Sequence, residues 1–300
     1  MSKQWLSQPE RGQQWAYRLM VWVALKLGRK TARVLLHPIC LYYLLFSFQA
    51  TKAIRTYLRR VFDRPVRSLD IFRQYHCFAS TLLDRTFLLS GQYDQFELDF
   101  HGADILLNRV DRGQGCLLLG AHLGSFEVVR ASGLSSRHVP IKLLMHEENA
   151  PMLRQALKSL APSIAQSIIQ VGAPDTMLQV KECLDEGGLV GILGDRLVKH
   201  DKDKIVECQF LGHPAHFPSG PMLLASILKV PVILFFGLYQ GGCRYEIHFE
   251  LLSEHIILDR QNRKNSLQEW TQRFVTRLEH YCRLAPHNWF NFYDFWEEDT

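Results

Sequence analysis

Residues 115–130 read GCLLLGAHLGSFEVVR, and this stretch decides the fold. Residues 116–119 are apolar without a break and end at Gly120, the pattern of a buried strand. Ala121-His122 follows, and Gly124-Ser125 opens a segment of helical period. The reading is a strand, a tight turn carrying a histidine, and a helix. Glu127 stands five residues beyond His122, and on one continuous helix their side chains would diverge by about 140°. They meet only if His122 sits on the turn, between Gly120 and Gly124, and Glu127 sits in the first helical turn. A carboxylate that accepts one ring N–H fixes the tautomer and leaves the other nitrogen free to take a proton from a hydroxyl. Among 13 histidines only His122 has an acidic residue five positions on. Chance alone supplies about one such pair in a chain of this composition, so the setting after an apolar strand carries the argument. The alternative is a structural histidine satisfied by its neighbours.

Helix and strand patterns alternate outward from this centre. Strands are expected at 96–101, 140–145, 167–171, 189–193, 230–239 and 244–252, the last two joined at Gly241-Gly242. Helices are expected at 68–90, 104–111, 151–160, 173–186, 222–229 and 267–283. Residues 198–204 read as charged and flexible, and 210–221 as a rigid Gly/Pro-rich loop. The fold class is α/β: a mixed, mostly parallel sheet flanked by helices, behind a helical N-terminal segment. Residues 1–67 form that segment and 68–300 the α/β domain.

In such sheets ligands bind beyond the carboxyl ends of the strands. Strand 189–193 delivers Gly194-Asp195-Arg196, so His122 and Asp195 face one crevice if their strands are neighbours. Asp195-Arg196 reads either as a clamp on a polar or phosphorylated head, Asp195 steering Arg196, or as a structural ion pair. Arg154 is a candidate contact for an anionic head on an otherwise solvated helix face. The loop containing Gly220 reads as substrate-lining, and its His213 and His216 lack partners at zinc spacing, so no metal is expected. The C-terminal WFNFYDFW, residues 289–296, packs in the core or walls a lipid chain.

Composition narrows the partners. Residues 1–70 hold 13 basic and 3 acidic side chains, net +10, whereas the remaining 230 carry net −5. Within the basic part, residues 5–30 place Trp15, Leu19, Trp22, Val23 and Leu27 at helical spacing, an amphipathic helix suited to a membrane interface. Residues 34–51 contain no Lys, Arg, Asp or Glu, but His37-Pro38 interrupts their start, which favours a buried or interfacial hairpin over a span. Long apolar runs make lipid a better partner than nucleic acid. The seven cysteines are scattered and form no C-x-x-C, as in a reduced compartment, and the N-terminal pattern is not that of a secretory signal. No P-loop, dinucleotide fingerprint or G-x-S-x-G occurs, so nucleotide hydrolysis, hydride transfer and nucleophile-elbow hydrolysis are disfavoured. Ser125 lies too close to His122 in sequence to read as a nucleophile.

The ordered set resembles a known family. His122-x4-Glu127 after a Gly-ended strand is similar to the H-x4-[DE] motif of glycerolipid-type acyltransferases. GAHLGSFE, residues 120–127, resembles the G-x-H-x-G-N-W-E block of bacterial lipid A late acyltransferases. Blocks at residues 5–29, at Gly194-Asp195, at 210–212 through 217–221 and at Pro286-x-x-Trp289 agree in order along nearly the whole chain. The resemblance implies a glycerolipid acyltransferase-like fold, no cofactor, and transfer of a fatty acyl chain from acyl carrier protein, or coenzyme A, to a hydroxyl of a membrane glycolipid such as a lipid A precursor. The place implied is the cytoplasmic face of the inner membrane. His122 would be general base and Glu127 its orienter, amides near Gly124 would hold the oxyanion, and Asp195 and Arg196 would sit by the acceptor head. Ser125-Phe126 stands where the family shows Asn-Trp, and Asn291–Asp294 replaces a basic tail. These departures leave open another lipid or polyene acceptor. A thioesterase or lipid hydrolase using the same pair, and a non-catalytic lipid-binding protein, are the competing classes.

Overall fold

Five consecutive apolar positions make β2 (Cys116–Gly120) fully buried at the middle of a sheet. The structure is a computed structural model that describes residues 13–131, 139–146, 167–197 and 205–296. The other strands are β1 (Glu97–His101), β3 (Ile141–His146), β4 (Ile168–Val171), β5 (Leu189–Leu193), β6 (Ile205–Phe210), β7 (His213–Pro218), β8 (Val232–Gly241) and β9 (Arg244–Ser253). Seven of them form one sheet in the order β1-β9-β8-β2-β5-β3-β4. Every neighbouring pair is parallel except β8–β9. That pair is antiparallel because its connection is the short turn at Gly241-Gly242, both at positive φ, and so short a link cannot return a parallel strand.

Around the sheet stand α3 (Ser68–Leu89), α4 (Ala103–Val110), α5 (Thr176–Asp185), α6 (Gly220–Leu228) and α7 (Arg263–Leu284). They agree with the expected helices to within a few residues. The Asp70 carboxylate caps α3 by accepting the Arg67 backbone N–H at 2.9 Å. Residues 151–160, Arg154 among them, and 198–204 lie outside the described residues.

Residues 210–221 are not a loop. β6 and β7 form a two-stranded antiparallel hairpin, turned by Leu211 and Gly212 at φ 52° and 78°. Two successive positive φ values match the twist a two-residue hairpin needs. Val206, Cys208, Phe210, Ala215 and Phe217 alternate inward and are buried. Pro214 and Pro218 are tolerated because a two-stranded ribbon leaves each strand one free edge.

The N-terminal helices also differ from expectation. α1 (Gln13–Phe46) runs through His37-Pro38 and breaks its geometry instead at Gly28, φ 81° and ψ 163°. Pro38 cannot donate to the Val34 carbonyl, and His37 Nδ1 lies 3.3 Å from that oxygen. α2 (Phe48–Val61) follows at once, and the axes of residues 28–46 and 48–61 differ by 93°. Among the described residues no single helix is long and apolar enough to cross a membrane. Ala32 and Leu36 are buried in one hydrophobic cluster with sheet residues, and Cys40, Ile54, Tyr57 and Leu58 in a second. Arg29 grips Asp84 of α3 through two hydrogen bonds of 2.7 and 2.8 Å, and Tyr245 donates to the same carboxylate at 2.9 Å. Burial raises the pKa of Asp84, and these donors work against that rise.

Candidate active site

The parallel register of β2 and β5 sets Gly120 beside Leu193. Each strand continues for two residues past this pair, to His122 and to Asp195. The two side chains therefore meet: His122 Nδ1 lies 2.8 Å from Asp195 Oδ1. The His122 backbone N–H also donates to both carboxylate oxygens, at 3.1 and 3.0 Å. Trp289 Nε1–H donates to Asp195 Oδ2 at 3.0 Å. Asp195 is only 1% exposed, so its charge depends on these N–H groups. Burial alone would raise its pKa, but the charges of His122 and Arg196 and the hydrogen bonds from His122 and Trp289 outweigh it and bring it down to about 2.

His122 keeps 29% of its side chain open to solvent. Its pKa is lowered, first by burial and then by the Arg196 and Arg85 charges, which outweigh the raising effect of Asp195. The imidazole is thus neutral near pH 7. An ionised Asp195 that accepts from Nδ1 places the proton there and leaves Nε2 as the basic atom.

This geometry corrects the expected pairing. Glu127 does not orient His122. Its Oε1 forms an ion pair with Arg85 Nε at 2.7 Å, and its Oε2 accepts the Ser125 hydroxyl at 2.9 Å. The expected α-helix after Gly124 is, within the described residues, a 3₁₀ turn over Glu127–Ala131. That turn carries Glu127 away from the ring and towards α3, which holds Arg85. Ser125 is buried and hydrogen-bonded to Glu127, which removes it as a nucleophile beside the imidazole.

Gly124 is fixed by close approach. It sits at φ 72°, and a Cβ there would lie 1.9 Å from the Gly237 carbonyl oxygen. Its N–H donates to Asn288 O at 2.9 Å, and the Ser125 N–H donates to Gly237 O at 2.8 Å. These two amides are consumed by the fold and do not form an oxyanion hole, contrary to the expectation from sequence.

Arg196 is not held by Asp195. Its Nη2 donates to the Phe290 carbonyl at 2.7 Å, which ties the strand end to the C-terminal arm. Gly220 opens α6 with open space where a Cβ would project. The next residue, Pro221, abuts Gly194, so this helix start stands beside the end of β5. The arm itself resolves as core packing. Trp289 is 1% exposed, meets Tyr57 and Phe210 edge-on, and bridges Leu123 in antiparallel fashion. His122, Asp195, Arg196, Gly124 and Gly220 therefore gather at one end of the sheet, and Glu127 supports Arg85 there. The sequence reading missed Trp289 and Arg85 as parts of this constellation; the only sequence signal was the Pro286-x-x-Trp289 block.

A search of curated proteins found no match to the chain. A sequence model of a family described as bacterial lipid A biosynthesis acyltransferase matches residues 2–298.

Proposed function

From membership of the bacterial lipid A biosynthesis acyltransferase family, to which this chain belongs, we propose the following reaction. The enzyme transfers a fatty acyl chain from an acyl thioester, with acyl carrier protein the favoured donor over coenzyme A, to a hydroxyl of a membrane glycolipid. The observation that carries the reading is the His122–Asp195 hydrogen bond at 2.8 Å, which leaves a neutral imidazole with an accessible basic nitrogen. The acceptor hydroxyl gives its proton to His122 Nε2, and its oxygen attacks the thioester carbonyl carbon. The tetrahedral oxyanion collapses, the C–S bond breaks, and the departing thiolate takes the proton back from the imidazolium. Asp195 stabilises that imidazolium and keeps the ring in register. A thioester is already activated, so base catalysis of about 10²–10⁴-fold together with positioning is sufficient. Because the Gly124 and Ser125 amides are occupied, the positive charge facing the developing oxyanion comes from Arg196 and Arg85, and Glu127 holds Arg85 in place.

We further propose that the N-terminal helices lie on the cytoplasmic face of the inner membrane. Val34, Tyr42, Phe46 and Phe48 support this: they are 67%, 59%, 63% and 77% exposed on α1 and α2, the last three within about a turn and a half of the bend between them. Large apolar side chains displayed together mark an interaction surface. The test is an assay with acyl carrier protein thioester and a bacterial lipid extract, comparing wild type with His122→Ala by mass spectrometry. A new acylated lipid absent with the variant supports the reading. Free fatty acid without an acylated lipid would replace it with a thioesterase, and transfer by a folded His122→Ala protein would end the general-base assignment.

A further inference from the structure

The sheet edge carries a second cluster of reactive side chains. β1 and β9 pair in parallel, with Asp99 opposite Glu246 and His101 opposite His248. Both strands thus present a carboxylate and, two residues on, a histidine: Asp99-Phe100-His101 and Glu246-Ile247-His248. Side chains two apart on a strand share a face, so the four groups form a two-by-two array. Phe100 and Ile247 point to the opposite face, where they join the core cluster.

Three features of this array call for a cation. Asp99 and Glu246 are like charges in directly opposed positions, an arrangement that weakens a sheet. The His101 and His248 rings lie 4.6 Å apart and within 12° of parallel, which sets two imidazoles side by side on this face. His248 Nε2 is buried and has no hydrogen-bond partner among the described residues. The next carboxylate along β9, Glu250, is engaged by Arg277 and Tyr281 and is not available.

We propose that His101, Glu246 and His248, with Asp99 beside them as a fourth donor, bind a divalent transition-metal ion of the zinc class at this edge. One ligand atom from each of the first three already lies within 4.8 Å of the others. His248 Nε2 is 3.8 Å from Glu246 Oε2, and His101 Nε2 is 3.4 Å from Asp99 Oδ2. Donors about 2.0–2.1 Å from a tetrahedral zinc stand about 3.4 Å apart, so the ligand atoms close by about 1 Å, and the half-exposed His101 ring turns out of the stack so that the in-plane lone pairs of both imidazoles meet at the ion. Two imidazoles and a carboxylate suit zinc better than magnesium or calcium. The ion clamps edge strand β1 to β9 and neutralises the opposed carboxylates. It takes no part in acyl transfer, and the proposal stands whether or not that reaction is correct.

The test uses the full chain without an affinity tag, stripped with a chelator and dialysed against zinc, with bound metal measured directly. The expected result is one equivalent bound, with His101→Ala and Glu246→Gln each weakening affinity by at least about tenfold. His101 is half exposed, so its variant folds. At a hundredfold excess over Kd, zinc raises the wild-type Tm by about 5 °C and leaves that of His101→Ala unmoved. Failure of the wild type to bind a stoichiometric ion, or undiminished binding by His101→Ala, overturns the proposal. Loss of binding on His213→Ala instead would overturn it too, by placing the ion on the β6–β7 hairpin.

Discussion

Replacing Asp195 by Asn tests the site more sharply than removing the base. The carboxylate accepts three kinds of N–H: His122 Nδ1–H, the His122 backbone N–H and Trp289 Nε1–H. An amide of the same shape has one oxygen and one NH₂ group. If the oxygen stays with Trp289 and the backbone, the NH₂ faces Nδ1 and demands its lone pair. The ring proton then moves to Nε2, the atom that must accept the acceptor's proton. The comparable change in a serine-protease triad costs about 10⁴ in kcat, and the expected loss here is about 10³–10⁴, which is about 4–5.5 kcal/mol of transition-state stabilisation. The loss falls on kcat with KM little changed, because Asp195 positions His122 and does not touch substrate. Initial rates with acyl carrier protein thioester, followed by mass spectrometry across pH, provide the assay, with circular dichroism confirming the fold. Glu127→Gln run alongside keeps the Ser125 contact and weakens only the Arg85 pair, so its loss is smaller, about 10-fold for a weakened charge contact. A folded Asp195→Asn enzyme within tenfold of wild type refutes the assignment. So does a Glu127→Gln loss as large as that of Asp195→Asn, which would restore Glu127 as the orienter.

Other consequences follow from the same contacts. kcat/KM falls on the acid side with an apparent pKa below the ordinary histidine value, since burial and the Arg196 charge disfavour the protonated ring; a pH–rate profile with its acid limb at or above the ordinary value contradicts this. Asp195 titrates at about 2 in the folded protein, below its unfolded value, so its stabilising contribution is complete above about pH 4 and is lost as pH falls towards 2, measurable as an acid unfolding limb that Asp195→Asn lacks. Arg29→Ala leaves Asp84 buried with Tyr245 as its one remaining donor among the described residues and destabilises by about 3–5 kcal/mol in denaturant titration, whereas a loss under about 1 kcal/mol would show that the pair is dispensable. Phe46→Glu with Phe48→Glu lowers partitioning onto anionic vesicles without changing the unfolding midpoint, and unchanged partitioning removes these residues from the membrane surface. Point changes are preferable to deleting residues 1–50, because Arg29, Ala32, Leu36 and Cys40 belong to the buried structure.

Local pattern alone determined much of this protein. The run Cys116–Gly120 is apolar at every position, so it is a central strand wherever it is placed, and a chain that alternates such runs with helical periods is α/β. The strand ends at Gly120 and Leu193 likewise located His122 and Asp195 at carboxyl ends, where sheets of this class hold their chemistry. What sequence could not decide was which partner each side chain chose. The spacing His122-x4-Glu127 suggests a local pair, yet Asp195, 73 residues away, takes the ring, because β2 and β5 are neighbours in register. Trp289 joins through contacts that span 94 residues, and Arg85 reaches Glu127 only because α3 packs beside the 3₁₀ turn. The hairpin at 205–218 was hidden by its prolines, which signal a loop unless a free strand edge excuses them. His101 and His248 lie on β1 and β9 with no local motif to join them; only the parallel pairing of those strands stacks the two rings. Periodicity reports how much of each residue is buried, a property of its own segment. Hydrogen bonding, charge pairing and metal ligation depend on strand order and register, which the packed sheet alone sets.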